Sequence, residues 1–115
     1  MKVITEGHKY VANHFEDKEK GHIIQFIHKE LVPNNLEILE DGSTILTEGK
    51  LQTINDGTTN EEVLEILIDR MNYLQSKFPC KENACCITHL EEALMWLEKR
   101  TRDRVKRGVE GKQIQ

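Results

Sequence analysis

Long apolar runs are missing from this 115-residue sequence. No stretch approaches the roughly 20 apolar residues of a transmembrane helix, and the opening residues MKVITE lack the basic-then-apolar order of a secretory signal. Hydrophobic residues make up 37% of the chain and charged residues 31%. This balance is typical of a soluble protein with a thin core, or of a subunit that buries more surface on assembly. We expect a single domain, residues 1–115, that stays in the cytoplasm without membrane attachment.

Cysteine is scarce and unevenly placed. The three cysteines, Cys80, Cys85 and Cys86, are odd in number and two of them are adjacent, which argues against a disulfide framework. Together with His89 they could be drawn as a metal site. Structural zinc sites, however, bring together two well-separated ligand pairs, and cysteine often serves as a small buried hydrophobic residue. We therefore expect no metal and no other cofactor.

Sequence patterns of catalysis are also missing. The other histidines (His8, His14, His22 and His28) are scattered, without Ser, Cys or carboxylate spacings that would suggest a triad or a general acid–base pair. The glycines in the middle of the chain each suit a turn, and they do not form a phosphate-binding loop. Enzymatic activity is therefore disfavoured, and we expect no catalytic residue.

The charge of the chain is strongly asymmetric. Residues 1–98 contain 9 basic and 18 acidic residues, whereas residues 99–115 contain 7 basic and 2 acidic residues. Arg100, Arg104 and Arg107 follow at steps of four and three, so on a helix they form one stripe. Guanidinium groups bind phosphate oxygens in a bidentate manner. A solvated helix end, where cations are favoured, is the simpler alternative, but the use of Arg rather than Lys favours an anion site.

The N-terminal part, residues 1–55, is predicted to form antiparallel strands with one buried face. Alternation places Tyr10, Ala12 and His14 on one side of their strand and Val11 and Phe15 on the other. The segment 22–31 has the β-branched and aromatic content of a strand, although a helix is also compatible with it. Asp41-Gly42 predicts a two-residue hairpin within a small meander. The predicted strands are residues 9–15, 22–31, 36–39, 43–46 and 50–54.

The C-terminal part, residues 59–108, is predicted to be a helical hairpin followed by a tail, residues 109–115. Thr59 and Glu62 form a capping box, and the residue before Pro79 ends the first helix. A second helix from about residue 83 to 107 repeats apolar positions at steps of three and four, which suits antiparallel packing. These positions are Ile87, Leu90, Leu94, Leu97, Thr101 and Val105.

The length of the second helix separates its two ends widely. The seventeen steps from Asn83 to Arg100 span about 25 Å at a rise of ~1.5 Å per residue. If Tyr73, Asn83 and the arginines contact one small ligand, the arginines must come from another chain. The sequence therefore predicts a pocket between protomers whose hairpins pack antiparallel.

Most of the C-terminal half resembles a family of phage proteins. The resemblance is carried by DGTTNEEVL (56–64), NYLQ (72–75), FPCKENA (78–84), LEEALMWL (90–97) and RGVEG (107–111). These segments are similar to the first family of Thoeris anti-defence proteins, which share a helical hairpin with the phage sponges that act against CBASS immunity. The strand-rich N-terminal half matches only loosely.

The resemblance implies an α+β fold, a small N-terminal antiparallel sheet followed by a two-helix hairpin, in a dimeric or hexameric homo-oligomer. It implies binding of cyclic ADP-ribose isomers such as glycocyclic ADP-ribose, and in some members of CBASS cyclic di- and trinucleotides, without cleavage. On this basis the site of action is the cytoplasm of the bacterial host. Carried over by position, Tyr73 stacks on adenine, Asn83 contacts the base or ribose, and Arg100 and Arg104 hold the phosphates. Arg107 extends that stripe.

A small nucleic-acid-binding phage regulator is the alternative function, since the basic helix end could contact a phosphate backbone. The formal net charge of −4 disfavours it, because proteins that coat nucleic acid are usually basic overall. We therefore expect a small-molecule ligand and no nucleic-acid or membrane partner.

Overall fold

The computed structural model describes residues 1–31, 35–47 and 49–108. Within these residues, strands occupy the N-terminal half and two helices the C-terminal half, so the predicted α+β class is confirmed. The treatment of residues 1–115 as one domain stays a prediction. The strands are β1 (Lys2–Thr5), β2 (Lys9–Asn13), β3 (Gly21–Gln25), β4 (His28–Leu31), β5 (Asn35–Ile38), β6 (Thr44–Thr47) and β7 (Leu51–Asn55). The helices are α1 (Asn60–Lys77) and α2 (Lys81–Lys106).

The strands form three small antiparallel sheets, and the prediction of one meander was wrong. β1, β2 and β3 form a three-stranded sheet, while β4 pairs with β7 and β5 with β6. The predicted strand 22–31 is divided because the chain changes hydrogen-bond partners at Phe26 and Ile27. Phe26 N donates to His8 O at 2.7 Å, whereas Ile27 N donates to Thr58 O at 2.9 Å. Beyond this point β4 pairs with β7.

The β5–β6 hairpin has a three-residue loop where the sequence predicted two residues. Ile38 is paired with Thr44, and Leu39 N donates to Ser43 O at 2.7 Å. The loop therefore comprises Glu40, Asp41 and Gly42. Gly42 has a φ of +83°, the left-handed conformation that closes such a three-residue hairpin and that glycine adopts without strain.

Both helices begin and end close to the predicted positions. The hydroxyl of Thr59 accepts a hydrogen bond from Glu62 N at 3.2 Å, which caps α1 as the sequence predicted. Helix α1 ends at Lys77, immediately before Phe78-Pro79. Helix α2 begins two residues earlier than expected, at Lys81, with Cys80 as its N-cap residue.

The helices pack against each other along one partly buried seam. Leu67 of α1, Phe78 just after α1 and Val105 of α2 are exposed, so the periodic apolar pattern extends beyond the contact. No hydrophobic residue among those whose burial is described is fully buried. The half-buried apolar residues of the seam are Val63, Leu64, Ile68, Met71 and Leu74 on α1 and Ile87, Leu90, Leu94 and Leu97 on α2.

The molecule is long and thin, with extents of 74 × 39 × 16 Å. Its radius of gyration is 20.6 Å, against about 13 Å for a compact domain of this length. Among the helices of the described residues, neither combines the length and apolar character that crossing a bilayer requires. Because the molecule is so thin, most apolar side chains are only partly shielded from water within one chain.

Gly57 lies between the strands and the helical hairpin. We expect its replacement by alanine to lower the free energy of unfolding more than the same replacement of Gly42. A Cβ on Gly57 would lie 2.3 Å from Gln25 O and 2.7 Å from Phe26 C, whereas a Cβ on Gly42 meets nothing within 4 Å. Gly57→Ala should lower the free energy of unfolding by about 1–3 kcal/mol, since backbone atoms must move. Gly42→Ala should cost about 1–2 kcal/mol through its backbone conformation alone. Thermal denaturation ranks the two variants; a smaller loss for Gly57→Ala would contradict this account.

Candidate anion-binding site

Helix α2 extends beyond the start of α1 and carries the arginine stripe with it. The two helices contain 26 and 18 residues and run antiparallel from the connector at residues 78–80. Eight residues of α2 therefore project past the first turn of α1, about 12 Å of helix. Arg100 and Thr101 lie beside Asn60 and Glu61 in the wall of one cavity, which places Arg100 next to the N-terminus of α1.

A small cavity brings two of the predicted arginines together with an aromatic ring. Its volume is about 230 Å³, and its wall is formed by Trp96, Lys99, Arg100, Asp103 and Arg107. Trp96 keeps 57% of its surface exposed. Three cations and one exposed indole thus face the same space, an arrangement that suits an anion attached to a flat ring.

The single carboxylate in that wall is held by a neighbouring lysine. Lys99 Nζ donates to Asp103 Oδ2 at 2.8 Å. This hydrogen bond, followed by the charges of Lys99, Lys106 and Arg102, lowers the pKa of Asp103 below its ordinary value of 3.8. Asp103 is therefore ionised at neutral pH and neutralises part of the positive charge contributed by Lys99.

Arg104 differs from the other arginines of the stripe. It keeps only 8% of its surface exposed and is the one buried residue among those whose burial is described. It does not line the small cavity, nor the larger cavity to which Arg100 and Thr101 belong. A buried guanidinium stabilises the local structure in addition to any role in ligand binding, because its removal leaves the groups around it without their partner.

A larger cavity lies between the three-stranded sheet and the start of α1. Its volume is about 730 Å³, within the range of small-molecule pockets. Tyr10 and Phe26 pack edge to face with their ring centroids 5.9 Å apart, and both rings line this cavity together with His8. Arg100 lines both cavities and connects them. The resulting wall is aromatic on the sheet side and cationic on the α2 side.

Tyr73 and Asn83 lie at the opposite end of the hairpin. Tyr73 is exposed to 59%, with Lys77 Nζ 5.5 Å from the centroid of its ring. Asn83 is half-buried in the first turn of α2. Since α2 is continuous from Lys81 to Lys106, the separation of about 25 Å from Asn83 to Arg100 applies to the folded chain. One chain brings Arg100 and Arg107 together but does not bring Tyr73 or Asn83 to them.

The three cysteines are exposed and free, contrary to the expectation that they serve as buried hydrophobic residues. Cys80 Sγ accepts a hydrogen bond from Asn83 N at 3.4 Å. In the part of the chain that the structure describes, no group of three or more His, Cys, Asp or Glu side chains could hold a metal ion.

No sequence pattern assigned His8, Phe26 or Thr58 to a site, although all three line the larger cavity. Alternation had placed Tyr10 and Ala12 on one side of a strand and Val11 on the other, yet all three line the cavity, so this pattern did not mark the side that faces it. The other residues belong to segments that are distant in sequence, and pairing between the sheet and the segment before α1 brings them together.

The fold and the site define a class: an α+β protein whose C-terminal helical hairpin carries an arginine-lined surface. Residues 37–102 match the family described as Acb2/Tad1, hairpin domain, and the chain belongs to this family. It is also 49% identical over 75 residues to Thoeris anti-defense 1 of Bacillus phage SBSphiJ7. That match covers 55% of this chain and 53% of the relative, so the chain spans about half the length of that protein. The family resemblance read from the sequence is confirmed.

The Lys99–Asp103 contact predicts a specific pH response. The lowered pKa of Asp103 means that the contact stabilises the fold above pH 3.8 and that this contribution is lost as the pH falls below that value. Lys99→Ala should raise the pKa of Asp103 towards its ordinary value, measured by NMR titration of the carboxyl carbon. Lys106→Ala is the matched control, because Lys106 acts only through its charge and should produce the smaller rise. Equal rises would contradict the assigned hydrogen bond.

Proposed function

We propose that this protein binds a cyclic ADP-ribose-type signal, with glycocyclic ADP-ribose as the first candidate, and holds it without cleaving it. Sequestration would starve the effector of Thoeris defence in the cytoplasm of the bacterial host. The observation that carries the proposal is the cluster of Arg100, Arg107 and Trp96 around one cavity, in a chain of the Acb2/Tad1 hairpin family. CBASS cyclic di- and trinucleotides are further candidate ligands, since they present the same combination of phosphate and base.

Binding energy, and not turnover, is the basis of the mechanism. A pyrophosphate offers oxygens to the forked guanidinium groups of Arg100 and Arg107, which form short charge-assisted hydrogen bonds. A base is stabilised by stacking on an aromatic ring, for which Tyr73 and Trp96 are both exposed. The role assigned to Tyr73 is adenine stacking, and Asn83 offers an amide to the base or ribose. None of these contacts requires a nucleophile or a general acid.

We place the complete pocket between two copies of the chain. Tyr73 and Asn83 lie too far from Arg100 in one chain to contact a ligand of nucleotide size, but antiparallel packing of two hairpins would set each tip against the other's arginines. Exposed apolar side chains on the hairpin, including Ile66, Leu67 and Met95, are available for such packing. Homo-oligomerisation, as a dimer or a hexamer, therefore belongs to the proposal.

A release assay tests sequestration directly. The protein is incubated with glycocyclic ADP-ribose and filtered, and the filtrate is assayed for activation of a Thoeris effector; the retained protein is then denatured and assayed again. We expect the signal to vanish from the filtrate and to return chemically intact after denaturation, by mass spectrometry. Recovery of a hydrolysed product would make the protein an enzyme. Steeply salt-dependent binding of duplex DNA, with no retention of the nucleotide, would favour a nucleic-acid regulator.

Arg100→Ala is the diagnostic variant in this assay, with Arg102→Ala as its control. Both arginines are exposed on the same turn of α2, but only Arg100 lines the cavities. Loss of charge-assisted hydrogen bonds should weaken the affinity of Arg100→Ala by roughly 10- to 100-fold, while Arg102→Ala should bind almost normally. Arg104→Ala is less informative, because its side chain is buried and its removal should also lower thermal stability.

A mixing experiment tests the origin of the two halves of the pocket. Tyr73→Ala and Arg100→Ala should each bind weakly when pure. After subunit exchange in an equal mixture, a twofold-symmetric dimer should regain about a quarter of its sites, because half of the dimers are mixed and each has one intact site. Calorimetric titration counts these sites. No recovery, with exchange verified by mass spectrometry, would contradict a pocket that combines Tyr73 of one chain with Arg100 of another.

A further inference from the structure

The side chain of Gln75 on α1 binds the backbone of Cys80, the N-cap residue of α2. Its Nε2 donates to Cys80 O at 3.1 Å, and its Oε1 accepts from Cys80 N at 3.1 Å. The side-chain amide thus pairs with both backbone polar groups of one residue, as a neighbouring strand would. Gln75 itself is half-buried, whereas Cys80 is exposed.

The N-terminus of α2 has a weak N-cap residue. Ser, Thr, Asp and Asn are the preferred N-cap residues, but the N-cap residue of α2 is Cys80, whose sulfur is a weak acceptor. Its contact with Asn83 N is 3.4 Å long. The preceding residue, Pro79, has no N–H group to contribute. The paired hydrogen bonds from Gln75 therefore fix the position of a poorly capped helix end.

The same contacts connect the two residues assigned to the base-binding end of the site. Tyr73 lies two residues before Gln75 on α1, and Asn83 lies three residues after Cys80, whose sulfur accepts from the Asn83 backbone. The connector between the helices contains only residues 78–80. A change at Gln75 would thus alter how the first turn of α2 sits against the last turn of α1.

We infer that Gln75 is a positioning residue, which sets Asn83 relative to Tyr73 without contacting the ligand itself. This inference rests on the proposed function, because it assumes that Tyr73 and Asn83 act on one ligand. It also predicts that a stronger N-cap residue at position 80 reduces the affinity lost when Gln75 is replaced, since the N-cap and the Gln75 side chain fix the same helix end.

The test measures the Kd for glycocyclic ADP-ribose by calorimetry in Gln75→Met, Cys80→Ser and the double variant. Methionine keeps the length of glutamine and removes both hydrogen bonds, so we expect about a tenfold loss of affinity, comparable to one net hydrogen bond. Cys80→Ser alone should bind normally, because serine is a good N-cap. In the double variant, Cys80→Ser should recover a large part of the lost affinity. Gln52→Met, the same chemical change on an exposed residue of β7, is the control and should bind normally.

Amide hydrogen exchange gives a readout that does not depend on the ligand. Gln75→Met should accelerate exchange at the Cys80 and Asn83 amides and leave the middle of α1 unchanged, which also shows that the variant folds. An unchanged Kd in Gln75→Met, while the unaltered protein binds, overturns the positioning role alone. Lost affinity that Cys80→Ser does not restore also overturns it. Failure of the unaltered protein to bind the probe overturns the proposed function and this inference with it.

Discussion

The partly buried seam between α1 and α2 is the interaction on which the rest of the structure depends. The apolar residues of both helices face each other along it, yet none is fully buried. The accessible surface is 9435 Å², against about 6500 Å² for a compact protein of this mass. Hydrophobic stabilisation scales with the apolar area removed from water. One chain therefore gains less of it than a compact protein of the same size.

The seam also determines where the charged groups lie. Because α2 is eight residues longer than its partner, its last turns extend beyond the start of α1. Arg100 comes to lie in the wall of the large cavity, and Arg107 joins Trp96 in the small one. Arg104, on the same turns of α2, is buried. Three arginines that are equivalent in a helical projection thus have different environments.

The opposite end of the seam is fixed by polar contacts. The connector is three residues long and contains a proline, so few backbone hydrogen bonds are available there. Gln75 supplies two, and Thr59 caps the other end of α1 with its hydroxyl. The two ends of the hairpin are therefore ordered by separate local interactions. A ligand that used both ends would need two chains, because the rods themselves keep the ends about 25 Å apart.

The sequence by itself determined the elements that depend on local signals. The capping box at Thr59, the stop before Pro79 and the three–four repeat from Ile87 to Thr101 located the hairpin, because helix formation and termination are governed by near neighbours. The arginine stripe and the family resemblance were also readable from the sequence.

Tertiary structure alone decided the rest. It divided segment 22–31 between two sheets, because Thr58, which is distant in sequence, donates its N–H to Gln25 O and accepts a hydrogen bond from Ile27 N. It buried Arg104 while leaving Arg100 in a cavity with His8, Tyr10 and Phe26. Strand partners and side-chain burial arise from contacts between remote segments, which no local pattern encodes.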